Sequence, residues 1–227
     1  MIRVENVAKS FTLHNQGGVV IDVIAGARLE VLAGECVALT GASGAGKSTL
    51  MRMVYGNYLT SSGKILIDGL DVARASAWEM LEMRRRTLGY ISQFLRVVPR
   101  VPTIDVVAEP LRAIGIGKQC AQARASELLH RLNVPAELWP LSPLTFSGGE
   151  QQRVNVARGF VHPYPVLLLD EPTASLDPKN REVVLALVEE AKGRGAAILG
   201  IFHDEAARAR LCNREVDVSR FSPRVVA

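Results

Sequence analysis

The chain has 227 residues, of which 48% are hydrophobic and 22% charged, and its formal net charge at pH 7 is +4. This composition is typical of a globular protein and excludes a disordered tail, a coiled coil and a collagen-like chain. Basic residues are spread along the chain, and neither an apolar signal core nor an uncharged apolar stretch of roughly 18 residues is present, so we expect a cytoplasmic protein with no nucleic-acid partner and no direct membrane insertion.

Short apolar runs dominate the chain before residue 92. They predict strands at 2–7, 19–24, 29–31, 35–40, 64–67 and 88–91. Gly17 and Gly18 are typical of a turn between the first two strands. Helices are predicted at 47–55 and 76–86. We interpret the basic run Arg84-Arg85-Arg86 as a solvated helix face rather than a nucleic-acid patch.

The sequence changes character after residue 92. Residues 103–132 have the composition and apolar spacing of helices, prolines interrupt the chain at 135–143, and another helix is predicted at 147–160. We therefore predict a single domain, residues 1–227. In it, a helical lobe (93–160) is inserted into an α/β core formed by 1–92 and 161–227.

Two continuous apolar runs follow this lobe. The runs at 165–169 and 196–202 are typical of strands buried on both faces of a parallel sheet, with a helix at 179–192 between them. The predicted fold class is α/β, with a mostly parallel sheet covered by helices. We place the antiparallel strands at the N-terminal edge of that sheet.

A glycine-rich loop joins the strand at 35–40 to the helix at 47–55 and matches G-x-x-x-x-G-K-[ST] at every required position. Its glycines let successive N–H groups point at a phosphate, and the helix N-terminus favours an anion. Lys47 is expected to reach the β- and γ-phosphates and Ser48 to offer its hydroxyl to Mg²⁺. The alternative is a turn that only caps the helix. The predicted nucleotide-binding residues here are Gly41, Ala42, Ser43, Gly44, Ala45, Gly46, Lys47, Ser48 and Thr49.

Two carboxylates, Asp170 and Glu171, follow the strand predicted at 165–169. Ligand sites of open α/β sheets lie beyond the carboxyl ends of the strands. Asp170 is therefore predicted to hold Mg²⁺ as a hard oxygen ligand. Glu171 is predicted to accept a proton from an attacking water. The alternative is an ordinary acidic loop before Pro172.

The segment 146–153 begins another helix. Ser147 and Glu150 have the S-x-x-E spacing of a capping box. Gly148 and Gly149 leave the first turn without side chains, so an anion can approach its N–H groups. This predicts a second anion site, far in sequence from the first.

The cysteines Cys36, Cys120 and Cys212 are far apart in sequence. Their spacing suits neither a disulfide framework nor a metal site, so we expect buried, neutral thiols. The four histidines show no metal-ligand spacing either.

Together these motifs resemble the nucleotide-binding domains of ABC-type ATPases over essentially the whole chain. Residues 146–150 match the signature motif L-S-G-G-Q of that family, except that Phe146 replaces Leu and Glu150 replaces Gln. The resemblance implies a P-loop NTPase core that uses ATP and Mg²⁺. It also implies a second ABC-type subunit, in a homo- or heterodimer in which each ATP lies between the phosphate loop of one protomer and the capped helix of the other.

The resemblance also implies roles for single residues. Gln93 would contact Mg²⁺ and the attacking water, and His203 would contact the γ-phosphate. Asp177 lies in a loop that would cross the dimer interface. Phe11 falls where an aromatic ring stacks on adenine, the alternative being a core residue of an edge strand. The implied catalytic residues are Glu171, His203, Gln93 and Lys47; Ser147, Gly148, Gly149, Glu150 and Asp177 join the nucleotide site, and Ser48, Gln93 and Asp170 are the metal ligands.

The strings at 92–100, 132–135 with 138–139, and 200–205, together with the F-S-G-G-E variant at 146–150, are similar to the PhnL family, ABC-type subunits of the bacterial carbon–phosphorus lyase system. This implies an ATPase docked on the carbon–phosphorus lyase core complex. That family is associated with transfer of the ribose triphosphate part of ATP to an alkylphosphonate. One alternative is the ATPase subunit of a membrane transporter such as a lipoprotein exporter. Another is an ATP-gated clamp with little hydrolysis, which Phe146 and Glu150 leave open.

Overall fold

A computed structural model describes residues 1–223, apart from the side chain of Gln16. The strands are β1 Ile2–Leu13, β2 Val19–Val31, β3 Cys36–Thr40, β4 Ser62–Ile67, β5 Leu70–Asp71, β6 Leu88–Ile91, β7 Val166–Asp170, β8 Ala197–Ile201 and β9 Arg214–Asp217. The helices are α1 Lys47–Val54, α2 Ala77–Arg86, α3 Thr103–Ala113, α4 Lys118–Arg131, α5 Gly148–Phe160, α6 Pro178–Gly193 and α7 Glu205–Leu211. Within residues 1–223, no helix has the length and hydrophobicity needed to span a membrane. Residues 224–227, the end of the predicted core, lie outside the described residues.

A parallel sheet forms the centre of the fold, with the strand order β6-β7-β8-β3-β9. Every residue of β7 and β8 is buried, as the continuous apolar runs predicted. Leu167 and Leu169 pack into a cluster with α3, α4, α5 and α6. Val166 and Leu168 pack into a second cluster with α1 and the antiparallel strands. Because parallel strands share a direction, the loops after β3, β6, β7 and β8 emerge at the same edge.

The antiparallel strands form a sheet of their own, in the order β2-β1-β4-β5. The predicted α/β fold, with a parallel sheet and antiparallel N-terminal strands, is confirmed, but these strands do not pair with the edge of the parallel sheet. The strands predicted at 19–24 and 29–31 are one strand, because irregular pairing with β1 and a left-handed Gly26 let β2 bend without ending. Gly17 and Gly18 form the predicted turn, with φ of 69° and 74°.

Helices α3, α4 and α5 pack against one another. The helical stretch predicted at 103–132 is two helices, because Gly115 adopts a φ of 93° and Gly117 lies at the N-cap of α4. The proline-rich stretch contains two short 3₁₀ turns, Ala136–Leu138 and Pro143–Thr145. The limits of the lobe, 93–160, stay a prediction.

The C-terminal part contains elements that the sequence did not predict. Helix α7 follows β8, and β9 then pairs in parallel with β3. The last turn of the described chain, Val218–Phe221, packs near β2 and β3. This segment completes the sheet on the side of the phosphate loop.

Candidate active site

The loop between β3 and α1 is curved as an anion cradle requires. Gly41, Gly44 and Gly46 have φ of 125°, 81° and 96°, values that favour glycine. The N-cap Gly46 gives α1 no side-chain cap, so the N–H groups of its first turn face outward without a side-chain acceptor. Lys47 Nζ donates to the carbonyl oxygens of Gly41 and Ala42 at 2.7 and 2.9 Å. The lysine therefore lies over the loop that it is predicted to serve.

Contacts with neighbouring residues also restrict the conformation of this loop. A methyl group at Gly41 would lie 3.1 Å from a carboxylate oxygen of Asp217, and one at Gly46 would lie 3.2 Å from Ile24 Cγ1. At Gly44 the space is open for 4 Å, so its backbone conformation alone requires glycine there. Contacts with β2 and with the end of β9 therefore help to fix the curvature of the loop.

Asp170 ends β7 and is 6% exposed. Its Oδ2 accepts a hydrogen bond from the Tyr90 hydroxyl at 3.1 Å. Burial raises the pKa of Asp170 above its usual value, so a bound cation would stabilise the charged form. Ser48 and Gln93 line the same cleft, and their hydroxyl and amide oxygens are donors that Mg²⁺ accepts. This donor set fits Mg²⁺.

Gln93, Glu171 and His203 meet at the edge of the sheet, although they are 32 or more residues apart. His203 Nε2 lies 2.8 Å from Glu171 Oε1, and Gln93 Nε2 donates to Glu171 Oε2 at 3.4 Å. Glu171 adopts a left-handed φ of 54°, and its N–H donates to the carbonyl of Ile201 at 2.9 Å. This uncommon conformation turns the carboxylate toward the other two side chains. The arrangement can orient a general base and keep it open to solvent.

Phe11 lies on β1, opposite Ile21 of β2, and is half-buried. Its ring packs edge-on against Tyr58, with 5.4 Å between the centroids, and Lys9 Nζ lies 4.8 Å from its centre. The contact with Tyr58 also suits the alternative role as a packing residue. Adenine stacking on Phe11 therefore stays a prediction.

The N-terminus of α5 carries the capping box that the sequence predicted. Ser147 Oγ accepts from the N–H of Glu150, and Glu150 Oε2 accepts from the Ser147 N–H at 2.9 Å and from its hydroxyl at 2.7 Å. The hydroxyl and then the N–H of Ser147 lower the pKa of Glu150, so its carboxylate is ionised at neutral pH. The replacement of Gln by Glu in the motif therefore keeps the cap and adds a charge.

The two glycines of this helix end have different surroundings. A methyl group at Gly149 would lie 3.1 Å from the Ser175 carbonyl oxygen, whereas no atom lies within 4 Å of one at Gly148. Asp177 caps α6, accepting from the Asn180 N–H at 2.9 Å, and this bond lowers its pKa. Gly148 is thus the open approach to the helix end, and the loop with Ser175 and Asp177 lies beside it.

One copy of the chain does not join its two predicted anion sites. Across residues 1–223, no hydrogen bond or ion pair connects the segment 147–150 with the loop 41–46. The structure does bring Gln93, Asp170, Glu171 and His203 to the sheet edge from which the loop 41–46 also emerges.

Two buried amides of α5, which sequence analysis missed, tie this helix to that edge. Gln152 Nε2 donates to the Pro172 carbonyl at 3.1 Å, and Asn155 Nδ2 donates to the Ser92 carbonyl at 2.6 Å. They hold the loops that carry Glu171 and Gln93. Their spacing of three residues, which puts two amides on one helix face, was the available signal.

The expectation of buried thiols is met at Cys36, whereas Cys212 is partly exposed. Cys120 is exposed rather than buried, because it lies on the solvent face of α4. Cys36 and Cys212 are neighbours, with 3.6 Å between their sulfur atoms. In the described part of the chain, no group of three or more His, Cys, Asp or Glu could hold a metal ion.

Comparisons with known proteins agree on one family. The family model described as ABC transporter matches residues 24–174. A lipoprotein-releasing system ATP-binding protein LolD of Novosphingobium aromaticivorans is 38% identical over 215 residues, 93% of this chain and 93% of that protein. A macrolide export ATP-binding/permease protein MacB of Brucella melitensis is 36% identical over 89% of this chain but only 31% of its own length.

A solved structure extends this likeness to the whole fold. The dimeric ATP-binding cassette MJ0796, in a post-hydrolysis state with ADP and Pi, superposes with a TM-score of 0.87 at 25% identity and covers 96% of this chain and 95% of its own. These relatives lend no support to the finer resemblance to PhnL, because their names refer to lipoprotein release and macrolide export. The matched family model and the extent of the LolD match show that the chain belongs to the ABC transporter ATPase family.

Proposed function

We propose that the chain is a Mg²⁺-dependent ATPase subunit that drives a partner protein. The convergence of Gln93, Glu171 and His203 carries this proposal, because a solvent-accessible carboxylate held between two side chains suits activation of water. This arrangement also favours hydrolysis over the alternative of an ATP-gated clamp.

Different residues of the chain would bind phosphate, accept the proton and hold the metal ion. Lys47 and the N–H groups at the start of α1 hold the β- and γ-phosphates and stabilise the charge that develops on transfer. Glu171 takes the proton from water, and His203 holds the Glu171 carboxylate in place. Ser48, Asp170 and Gln93 would hold Mg²⁺, which neutralises phosphate charge when bound.

A second ABC-type subunit completes each nucleotide site in this proposal. The helix end at 147–150 has no phosphate loop beside it in its own chain, and Gly148 leaves it open. The similar cassette MJ0796 is dimeric. We propose that residues 147–150 contact the nucleotide held by the partner, with Asp177 in the loop beside them.

The partner protein would dock on the loop after β6, which lines a cleft of about 750 Å³ that also contains the proposed metal ligands Ser48 and Asp170. Gln93 lines this cleft and also donates to Glu171, so a partner pressing on the loop after β6 could affect the base directly. Phe94, beside it, is 70% exposed. The cleft wall is basic, with Arg52, Arg84, Arg85, Arg96 and Arg158 against Glu109 and Asp170.

The relatives favour a membrane permease as the docked partner. The LolD match extends over 93% of both chains and belongs to a lipoprotein-releasing system. A permease of that kind is the partner that these comparisons support best.

A second candidate, the carbon–phosphorus lyase core complex, is supported by the place of one string that resembles PhnL. Within 92–100, the side chains that line the docking cleft are Gln93, Phe94 and Arg96. A docked partner would contact these side chains, so they would help to determine which partner binds. The ATP site, by contrast, would be shared by relatives with different partners. This candidate would make the chain a subunit that supports phosphonate breakdown.

Nucleotide titration tests the ATPase proposal. Lys47→Ala should weaken ATP binding by a factor of about 10 to 100, the effect of losing a charge-assisted hydrogen bond. Lys64→Ala, an exposed lysine on β4, is the matched control and should bind normally. Equal affinity in both variants would refute the phosphate cradle.

Purification of the tagged chain from its native cells, grown with a phosphonate as phosphorus source, separates the two partners. Recovery of an integral membrane permease with several spanning helices would support the transporter. Recovery of phosphonate-processing enzymes would support the second candidate. A chain with Phe94→Ala and Arg96→Ala should lose either partner, and retention would exclude the cleft as the docking site.

A further inference from the structure

Cys36 and Cys212 form a thiol pair that the ATPase machinery does not use. Their sulfur atoms are 3.6 Å apart, although the residues are 176 positions apart in sequence. Cys36 is fully buried at the start of β3, and Cys212 is partly exposed at the C-cap of α7. Cys212 is therefore the more accessible residue of the pair.

Two hydrogen bonds join the chain segments that carry the pair. Asn213 N–H donates to the Cys36 carbonyl at 2.8 Å, and Cys36 N–H donates to Asn213 Oδ1 at 3.0 Å. A disulfide bond is about 2.05 Å long, so the sulfurs need to approach by only about 1.5 Å. The two sulfur atoms are thus a short movement away from bonding distance.

The two thiols differ in reactivity. The hydrogen bond from the Cys36 thiol lowers the pKa of Cys212, whereas this interaction and burial raise the pKa of Cys36. Lys192 and Arg208 add positive charge near Cys212, against the negative charge of Glu215. The accessible sulfur is thus also the better nucleophile.

We propose that Cys36 and Cys212 are a reversible thiol–disulfide site that responds to low-molecular-weight disulfides such as oxidised glutathione. The Cys212 thiolate attacks one sulfur of the oxidant, forms a mixed disulfide and releases one glutathione thiolate, which takes up a proton. The Cys36 thiol then loses its proton, attacks the Cys212 sulfur and releases the second glutathione. Two protein thiols and one oxidised glutathione give one protein disulfide and two reduced glutathiones.

The disulfide bond would connect β3, which precedes the phosphate loop, to α7, which follows His203. β3 leads directly into the loop 41–46, and α7 follows His203. Arg208 of α7 donates to the carbonyls of Phe202 and His203 at 2.8 and 3.2 Å. Pulling the end of α7 toward β3 would therefore shift His203, so the oxidised protein should hydrolyse ATP several-fold more slowly; this consequence rests on the proposed function.

The test uses the full chain with Cys120→Ser, which removes the exposed thiol. After incubation with oxidised glutathione, both remaining thiols should disappear, no glutathione should stay attached, and a proteolytic digest should contain the Cys36 peptide joined to the Cys212 peptide. Adding Cys36→Ala should leave glutathione attached to Cys212. Adding Cys212→Ser instead should prevent oxidation of the protein. Because Cys212 is partly exposed, this variant still tests the site if the buried substitution Cys36→Ala impairs folding.

Persistent glutathione on Cys212 with Cys36 present, or no thiol loss at all, would overturn the site. Turnover that is equal before and after oxidation would overturn its link to His203, while the digest still reports the bond. A reduced protein without any ATPase activity would instead count against the proposed function. Dithiothreitol should restore both thiols and the original turnover.

Discussion

The helix ends at α1 and α5 both suit a phosphate, but they are built in opposite ways. α1 has no side-chain cap, and its preceding loop depends on left-handed glycines and on Lys47 folded over it. α5 has a complete capping box between Ser147 and Glu150, and Gly148 opens onto free space. In the proposed function, the first end binds the nucleotide within one chain, whereas the second contacts the nucleotide held by a partner.

This difference predicts a separation of effects. Changes at the α1 end should alter nucleotide affinity in the single chain. Changes at the α5 end should leave that affinity intact and alter only the steps that need two protomers. Glu171, at the edge of the sheet, should affect chemistry and neither kind of binding.

The largest effect is expected for Glu171→Gln. If Glu171 is the base, turnover should fall by a factor of about 10² to 10⁴ while ATP affinity stays close to normal, because the amide keeps the size of the side chain. Steady-state phosphate release and nucleotide titration measure the two quantities, and ATP-bound dimers should accumulate in size-exclusion chromatography. Glu137→Gln, in the turn Ala136–Leu138, is the control. Undiminished turnover would rule out this base.

Gly148→Ala should act only on the assembled dimer. The methyl group meets no atom of its own chain within 4 Å, so the substitution should not destabilise the single chain or change its ATP affinity. It should block the approach of the partner's nucleotide and lower turnover roughly 10- to 100-fold, the value of a lost hydrogen bond to a charged group. Gly193→Ala, equally unobstructed at the end of α6, serves as the reference. If both variants turn over normally, the two-protomer site is wrong.

Asp170→Asn should raise the thermal stability of the protein near neutral pH. Burial raises the folded-state pKa of Asp170 above its unfolded value, so the stability of the wild type is highest below the unfolded pKa and falls as pH rises through the folded one. The variant has no carboxyl group to ionise at this position, so it does not lose stability as the pH rises. Its melting temperature should therefore exceed that of the wild type near neutral pH, by roughly 2–4 °C for each kcal/mol gained. Calorimetry over a pH series checks this. The difference should vanish at low pH, whereas a constant difference would contradict burial as its cause.

Local patterns predicted the parts of the site that are local in the chain. The loop at 41–46, the buried strand before Asp170 and the capping box each follow from a few consecutive residues. Contacts such as Glu171 with His203 came only from resemblance to a family, because they depend on the order of strands in the sheet. β9 was missed because four residues of mixed polarity become a strand only beside β3.

The resemblance to PhnL shows where such inference ends. Strings of five to nine residues suggested one partner, whereas a relative matched over 93% of the chain has a name that refers to lipoprotein release. If the proposed docking cleft is right, partner identity depends on a few side chains there, and overall sequence identity mainly reflects the shared fold and ATP site. The neighbouring sulfurs of Cys36 and Cys212 were missed for a different reason, since only the folded sheet brings residues 176 positions apart together.

The smallest effect is expected for Glu150→Gln, and it isolates charge from capping. Gln preserves the capping box but removes a carboxylate that is ionised at neutral pH and lies at the end meant for a phosphate. Turnover should rise about 2- to 5-fold at low ionic strength, as expected for 0.3–1 kcal/mol at a helix end, and the gain should shrink as salt is added. Glu79→Gln supplies a close control, because Ser76 and Glu79 form the same capping box on α2, with the Ser76 hydroxyl 2.7 Å from Glu79 Oε2. Equal changes in both variants would mean that the cap, and not the charge facing the nucleotide, sets the rate.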